Sequence, residues 1–143
     1  MLSQWNTSKL LLGFVALSVT VAANGQGVSA GVTQVGRQVP LPIVEGERIF
    51  AQQCGVCHNI VRGAPNKSGP TLAGLVGAKA GTRPGFDYSP AFKKANFRWS
   101  DARLNAFFAN PSTTVPSNRM PFSGVVSADN RRKLIAYLKA SAR

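Results

Sequence analysis

Residues 54–58 read Cys-Gly-Val-Cys-His, and this motif contains both cysteines and the only histidine of the chain. Cys54, Cys57 and His58 stand at positions i, i+3 and i+4, so a helical backbone would present all three side chains on one face. From such a face the two thiols can bond to the vinyl groups of a haem while the imidazole reaches its iron. The C-x-x-C-H motif therefore indicates c-type haem attachment.

Two other interpretations of the cysteine pair remain open from the motif alone. The pair could be a redox dithiol, although that motif normally belongs to a βαβ unit of the thioredoxin kind. It could also form a structural disulfide, which an exported protein tolerates. A zinc site with four cysteine or histidine ligands is excluded, because the chain has two cysteines and one histidine. A scaffold of several disulfides is excluded for the same reason.

The sequence offers one candidate for a second axial ligand of haem iron. Bis-histidine ligation is impossible within a chain that has one histidine, and Met1 belongs to the N-terminal segment. Met120 is the methionine that remains, and it lies in the predicted loop Pro111–Gly124, whose length favours a functional role. The alternative is that Met120 is a hydrophobic side chain filling a gap in the core.

The N-terminal segment has the pattern of an export signal. Lys9 precedes an apolar run from Leu10 to Ala23, which as a helix would be about 21 Å long at ~1.5 Å per residue. That is short for a bilayer core of about 30 Å and typical of a signal peptide. We therefore expect a signal peptide at residues 1–23, or an uncleaved membrane anchor, then a flexible linker at 24–42 and the folded domain at 43–143. Export predicts a periplasmic location.

The domain is predicted to be all-α, because its apolar residues recur at helical rather than alternating spacing. The predicted helices are Glu45–Cys57, Leu72–Val76, Pro90–Ala95, a helix from Ser100 to Asn110 and a helix from Ser127 onward. Ser100 and Ser127 are expected N-caps, and the proline after Asn110 should end the helix there. Glu45 and Glu47 are expected in the first turn of the first helix, where the dipole favours acidic side chains.

Seven short motifs follow one another along the chain. They are CGVCH at 54–58, GPTLAGLVG at 69–77, PGFDYS at 84–89, Trp99, Asn110–Pro111, NRMPF at 118–122 and IAYL at 135–138. In this order they resemble class I c-type cytochromes, and most closely the branch of mitochondrial and soluble bacterial cytochromes c, over about Val44–Ala140. The resemblance implies the class I fold, in which short helices wrap around one covalently attached haem and the N- and C-terminal helices cross.

The resemblance also implies roles for individual residues near the haem. The carbonyl of Pro70 would accept the proton of the His58 imidazole and fix its orientation. Tyr88 and Trp99 would hydrogen-bond a haem propionate, and Phe122 would lie beside the exposed haem edge. The alternative for Tyr88 and Trp99 is core packing, although their polar atoms need partners when buried.

Further residues match the expected helix crossing and the walls of the haem crevice. Gly46 and Phe50 match positions that meet Tyr137 where the terminal helices cross, and a glycine there would let the helices approach closely. Candidate crevice walls are Phe50, Leu72, Phe107, Phe108 and Leu138.

The chain departs from the family pattern at several positions. Ala78 stands where the mitochondrial type usually has an arginine near the propionates, and Lys79 follows it. Phe107 replaces a tyrosine that often bonds the methionine sulfur, and Asn118 replaces the usual threonine. These departures bear on the reduction potential and on the choice of partner rather than on the fold or the cofactor.

Charge constrains the expected partners. The sequence has 17 lysines and arginines against 5 acidic residues, a formal charge of +12. A basic surface accelerates association with acidic proteins. Nucleic-acid binding is the alternative for so basic a chain, but the predicted export and the lack of a nucleic-acid motif argue against it. We expect a monomer with acidic redox partners: a membrane quinol–cytochrome c reductase, and a terminal oxidase, reaction centre or dehydrogenase.

The sequence thus predicts an exported monohaem cytochrome c that carries single electrons between proteins and is not itself an enzyme. His58 and Met120 are the predicted iron ligands, and Cys54 and Cys57 the predicted attachment points. Two alternatives stay open. One is a cytochrome subunit of a periplasmic dehydrogenase complex, and the other is a haem enzyme or sensor with an open sixth coordination site.

Overall fold

The computed structural model describes residues 38–141, so the predictions of a signal peptide and most of the linker lie outside the described residues. Five helices are present in this range. They are α1 (Leu41–Gln53), α2 (Pro90–Lys94), α3 (Asp101–Ala109), α4 (Pro111–Thr114) and α5 (Ala128–Ala140). Strand pairing within residues 38–141 is limited to an isolated antiparallel bridge between Lys79 and Arg98. The all-α prediction is confirmed.

Helix α1 begins earlier than predicted, at Leu41 rather than Glu45, within the last two residues of the expected linker. Pro42 lies in its first turn, where a fixed φ and a missing N–H are tolerated. The predicted placement of Glu45 and Glu47 in the first turn is therefore wrong, and the first turn contains no acidic residue. Across the part of the chain that the structure describes, no helix is long and apolar enough to cross a membrane.

The crossing of α1 and α5 is confirmed. A Cβ on Gly46 would lie 2.7 Å from the Cβ of Tyr137 and would overlap the carbonyl of Lys133, so only a glycine lets the two backbones approach this closely. The rings of Phe50 and Tyr137 pack beside this contact, with centroids 5.6 Å apart. Lys133 also forms an ion pair with Glu45 across the same crossing.

The predicted caps of α3 and α5 are present. The hydroxyl of Ser100 accepts a hydrogen bond from the Arg103 amide at 3.2 Å, and that of Ser127 accepts one from the Asn130 amide at 3.3 Å. Helix α3 ends before Asn110, as the following proline predicted. The buried faces of the two helices pack into one core, to which they contribute Leu104, Phe107, Phe108, Leu134, Ile135 and Leu138.

Two predicted elements differ from the structure. The segment 72–76 forms turns and not a helix, because Gly74 has a φ of 61° and closes a tight turn. The predicted loop Pro111–Gly124 begins with the short helix α4, which the Asn110 side chain caps through the Thr113 amide at 3.0 Å. The short helix predicted from Pro90 is confirmed as α2.

Candidate haem site

All eight predicted site residues line a single cavity of about 510 Å³. They are Cys54, Cys57, His58, Pro70, Tyr88, Trp99, Met120 and Phe122. They come from the end of α1, three loops and the segment after α4. A volume of this size is typical of a pocket for a cofactor-sized ligand.

The C-x-x-C-H motif lies directly after α1 and continues its backbone as one further turn. The amide of His58 donates to the carbonyl of Cys54 at 2.9 Å, an i to i−4 bond, and the amide of Cys57 donates to the same carbonyl at 3.0 Å. The predicted helix to Cys57 is thus shorter than expected, but the local geometry still presents Cys54, Cys57 and His58 to the same cavity.

The two cysteines do not form a disulfide, and their surroundings disfavour a redox dithiol. Both thiols are free, with Cys54 buried and Cys57 partly buried. Burial, and secondarily the neighbouring Cys57, raises the pKa of Cys54 to about 11. A redox-active C-x-x-C pair depends instead on a depressed thiol pKa. The residues from 38 to 141 also contain no βαβ unit.

His58 is held in one orientation by the backbone. Its Nδ1 atom lies 2.7 Å from the carbonyl oxygen of Pro70, which can only accept, so Nδ1 carries the proton and Nε2 keeps its lone pair. Gly69 lies against the ring, since a Cβ there would be 2.6 Å from Nδ1. Burial lowers the pKa of His58 below its ordinary value of 6.5, and the charge of Lys67 acts in the same direction, while the Pro70 contact opposes them. The predicted contact between His58 and Pro70 is present.

Asn118 organises the segment that brings Met120 to the cavity. The sequence analysis noted this residue only because it replaces the threonine usual in the family. The side-chain oxygen of Asn118 accepts from the Met120 amide at 2.9 Å, and its amide nitrogen donates to the carbonyl of Val115 at 2.8 Å. The preceding Ser117 has a φ of 63°, a conformation that needs local support outside glycine. The sequence did contain a signal for this role, because an asparagine beside a turn readily hydrogen-bonds the nearby backbone through its side chain.

Aromatic side chains form much of the cavity wall. Tyr88 is buried and its ring meets that of Phe86 edge to face, with centroids 4.8 Å apart. Trp99 is also buried and packs against Phe107 at 5.0 Å. Phe92, which was not predicted as a site residue, lines the cavity between these two pairs.

Of the predicted crevice walls, Leu72, Phe107 and Phe108 line the cavity, but Phe50 and Leu138 do not. Both belong to the buried core, which also contains Phe107 and Phe108. The reason is the helix crossing: Phe50 is turned towards Tyr137 on α5, so that this part of the interior is filled by protein side chains.

The residues around the cavity fit haem c. Two thiols one helical turn apart can form thioethers with its vinyl groups, an imidazole with a free Nε2 can bind its iron, and the walls are largely apolar and aromatic. An all-α fold that presents these donors to one cavity defines a class of protein, the haem proteins of the class I c type.

Comparisons with known proteins identify the family. A family model described as "Cytochrome C oxidase, cbb3-type, subunit III" matches residues 42–138. A cytochrome c of Cannabis sativa is 42% identical over 96 residues, which cover 67% of this chain and 86% of the relative. A cytochrome c of Chlamydomonas reinhardtii is 41% identical over 97 residues, covering 68% and 87%. A cytochrome c2 of Rhodomicrobium vannielii is 40% identical over 95 residues, covering 66% and 75%.

The chain therefore belongs to the cytochrome c family. The predicted resemblance, the class I fold and the haem c cofactor are confirmed. Members of this family are electron-transfer proteins that work with redox partners such as reductases and oxidases, and this chain is a monohaem electron carrier of that kind.

Proposed function

We propose that this protein is exported and carries single electrons in the periplasm, with His58 and Met120 as the two axial ligands of its haem iron. The observation that supports this most directly is that both side chains line the same cavity as Cys54 and Cys57. With two protein ligands on the iron, no coordination site is left for a substrate. Electron transfer between proteins is then the chemistry that remains.

The bound haem supplies the one-electron couple, and the chain's own residues set the conditions for it. Pro70 holds the imidazole of His58 in the tautomer that leaves Nε2 available. The thioether sulfur of Met120 is a soft donor, which favours ferrous iron and raises the reduction potential. The aromatic walls limit the access of water, which disfavours the more highly charged ferric state.

The methionine segment is tied to another segment of the cavity lining, at Asp87. Arg119 donates to the Asp87 carbonyl at 2.9 Å and pairs with its carboxylate at 3.5 Å. Asp87 also pairs with Lys93 at 2.8 Å. Because Arg119 and Asp87 both line the cavity, this bridge would restrain the segment carrying Met120 and so keep its sulfur in position in both oxidation states.

We infer that the partners are acidic redox proteins, a quinol–cytochrome c reductase as donor and a terminal oxidase, reaction centre or dehydrogenase as acceptor. The formal charge of +12 supports this choice, because long-range attraction between complementary surfaces accelerates their encounter. Phe122, half-buried and lining the cavity beside Met120, marks the edge at which we place electron transfer.

Replacement of Met120, the proposed second iron ligand, is the decisive test of this function. In Met120→Ala, the haem should stay attached through Cys54 and Cys57, the reduction potential should fall, and the ferrous protein should bind carbon monoxide. Leu72→Ala is the matched control, because it also removes an apolar cavity wall but takes no ligand atom away. Ready binding of carbon monoxide by the unaltered protein would instead favour the open-site enzyme or sensor.

A second candidate is a cytochrome subunit of a larger complex, and the description of the matched family model as an oxidase subunit favours it. The sequence had suggested a dehydrogenase complex as another host. Both possibilities differ from a free carrier in one measurable way. Native extraction followed by size-exclusion chromatography should recover a free carrier as a monomer, whereas a subunit should elute with its complex.

A further inference from the structure

One peptide group beside the cavity makes hydrogen bonds to two side chains. Its carbonyl belongs to Pro70, and the oxygen lies 2.7 Å from Nδ1 of His58. Its N–H belongs to Thr71 and donates to Oδ1 of Asn66 at 2.9 Å. The carbonyl and the N–H of one peptide are conjugated, so an acceptor on the N–H makes the carbonyl oxygen a stronger acceptor in turn. Asn66 therefore reaches His58 through a single peptide group.

The orientation of the Asn66 amide follows from its two partners. Its Nδ2 atom donates to the carbonyl of Pro84 at 3.1 Å, and a Cβ on Gly85 would lie 3.6 Å from the same nitrogen. A carbonyl can only accept and a backbone N–H can only donate, so the Oδ1 atom must face Thr71. Asn66 is half-buried, which limits the competition of water for this contact.

The backbone on both sides of this peptide is already held by other contacts. The Gly69 amide donates to the Cys57 carbonyl at 2.8 Å. The Leu72 amide donates to the Asn59 carbonyl at 2.7 Å. Asn66 is therefore not the contact that keeps the peptide in place, and its effect falls on the strength of the hydrogen bond to the imidazole.

Two other polar side chains of the same region have different acceptors. The Asn59 side chain donates to the carbonyl of Pro65 at 2.6 Å, and the Lys67 side chain donates to the carbonyl of Gly55 at 2.6 Å. Neither contact involves the peptide that accepts the proton of His58. Asn59 is therefore a matched control, because removing its side-chain contact leaves that peptide untouched.

When haem is bound, the strength of this hydrogen bond bears on the iron through Nε2 of His58. An imidazole whose Nδ1 proton is attracted more strongly by its acceptor becomes a better electron donor. A better donor stabilises ferric iron and lowers the reduction potential. The thioether of Met120, proposed for the opposite side of the iron, acts in the other direction.

We propose that Asn66 is a positioning residue for His58 and lowers the reduction potential of the haem. Its Oδ1 atom accepts from the Thr71 N–H and so strengthens the Pro70 carbonyl as the acceptor of the imidazole proton. That proton stays on Nδ1 throughout. The proposal rests on the proposed function in requiring His58 to bind the iron, but it is independent of Met120 as the second ligand.

Two measurements on the haem-loaded protein test this role: the reduction potential, and the rate at which the Nδ1 proton of His58 exchanges with solvent in NMR spectra. Asn66→Ala and Asn66→Asp form a matched pair, because both lose the donor to Pro84 but only the alanine loses the acceptor at Thr71. In Asn66→Ala the potential should rise and the ring proton should exchange several times faster, because its hydrogen bond is weakened. In Asn66→Asp a carboxylate accepts at least as strongly, so the exchange should stay slow and the potential should not rise.

Two further variants complete the set. Asn59→Ala removes the contact with Pro65 and should change neither the potential nor the exchange rate. Asn66→Leu has nearly the size of asparagine and neither of its polar atoms, so it takes the place of Asn66→Ala if that variant does not load haem.

The proposal is overturned if Asn66→Asp raises the potential and speeds the exchange as Asn66→Ala does, because Asn66 would then act only by joining two loops through Pro84. It is overturned equally if Asn66→Ala and Asn66→Leu change neither measurement, or if Asn59→Ala changes both as much. In the ferrous protein the ring current of the haem displaces the NMR signals of an axial histidine. The absence of that displacement for His58 would contradict its ligation of iron, whereas its presence with unchanged Asn66 variants contradicts only the role of Asn66.

Discussion

The Nδ1 atom of His58 lies 2.7 Å from the carbonyl oxygen of Pro70, a residue 12 positions further along the chain. This contact defines the tautomer of the imidazole and aims Nε2 at the cavity. Gly69, which directly precedes Pro70, donates its amide to the Cys57 carbonyl at 2.8 Å. The segment after the haem-attachment motif thus folds back on the motif, and its hydrogen bonds hold the His58 ring in one orientation.

This bracing predicts the effect of Gly69→Ala. The added Cβ would lie 2.6 Å from Nδ1 of His58, so either the ring or the segment carrying Pro70 must move. Overpacking of this kind costs ~1–3 kcal/mol, and we expect a loss of that size in denaturant unfolding of the haem-loaded protein. Gly55→Ala is the control, because its Cβ would meet nothing nearer than 3.3 Å. Equal stability losses in both variants would argue against a specific clash with His58.

The helix crossing gives a second prediction. Gly46→Val should wedge α1 away from α5, because even a Cβ at this position overlaps the backbone of Lys133. We expect a destabilisation of ~1–3 kcal/mol or more. Ala51→Val is the matched control, since it places the same β-branched side chain on an exposed position of α1. A melting temperature in Gly46→Val that equals that of the control would contradict the close contact.

The bridge at Asp87 predicts a dependence of stability on pH. Hydrogen bonds to Lys93, and then to Arg119, hold the pKa of the Asp87 carboxyl below its ordinary value of 3.8. A depressed pKa stabilises the fold above the unfolded-state pKa, and this stabilisation is lost as the pH falls through the folded-state value. At neutral pH, Asp87→Asn should therefore melt below the unaltered protein, and the difference should vanish in strong acid.

Salt provides the check on this prediction. The Asp87 side chain is 78% exposed, so its ion pairs are screened by added electrolyte. The difference in melting temperature between Asp87→Asn and the unaltered protein should shrink at high ionic strength. A difference that persists both in acid and in high salt would mean that a contact other than the charged pair is responsible.

The proposed docking edge is tested by comparing two arginines. Arg119 lines the cavity with a side chain that is 62% exposed, and Arg132 lies on α5 with a side chain that is 69% exposed. Each pairs with an aspartate, which makes them a matched set. Arg119→Glu should slow association with an acidic redox partner in stopped-flow measurements, with a loss that shrinks as salt rises. If Arg132→Glu slows association equally, net charge rather than this edge governs docking.

Local chemical motifs in the sequence predicted the site more accurately than the sequence predicted the ends of the helices. The C-x-x-C-H motif, a single histidine and one methionine in a proline-rich segment specified the haem c cofactor and one pair of candidate ligands. Serine caps at Ser100 and Ser127 specified where two helices begin, because capping depends on a few neighbouring backbone groups. The start of α1 was predicted less well, since Pro42 is compatible with both a linker and a first helical turn.

The sequence motifs, together with the family resemblance that they carry, also placed eight residues at the cofactor, and the structure brings all eight to one cavity. Only the tertiary structure decided which other residues join them. Phe50 and Leu138 are as apolar as Phe107 and belong to the same core, but they do not line the cavity, and Phe50 packs against Tyr137 where α1 and α5 cross. Asn66 resembles any loop asparagine in the sequence, and its hydrogen bond to the Pro84 carbonyl forms because two separate loops meet. Short sequence patterns predict hydrogen bonds between residues a few positions apart. Burial and electrostatic environment depend instead on which distant segments of the chain come into contact.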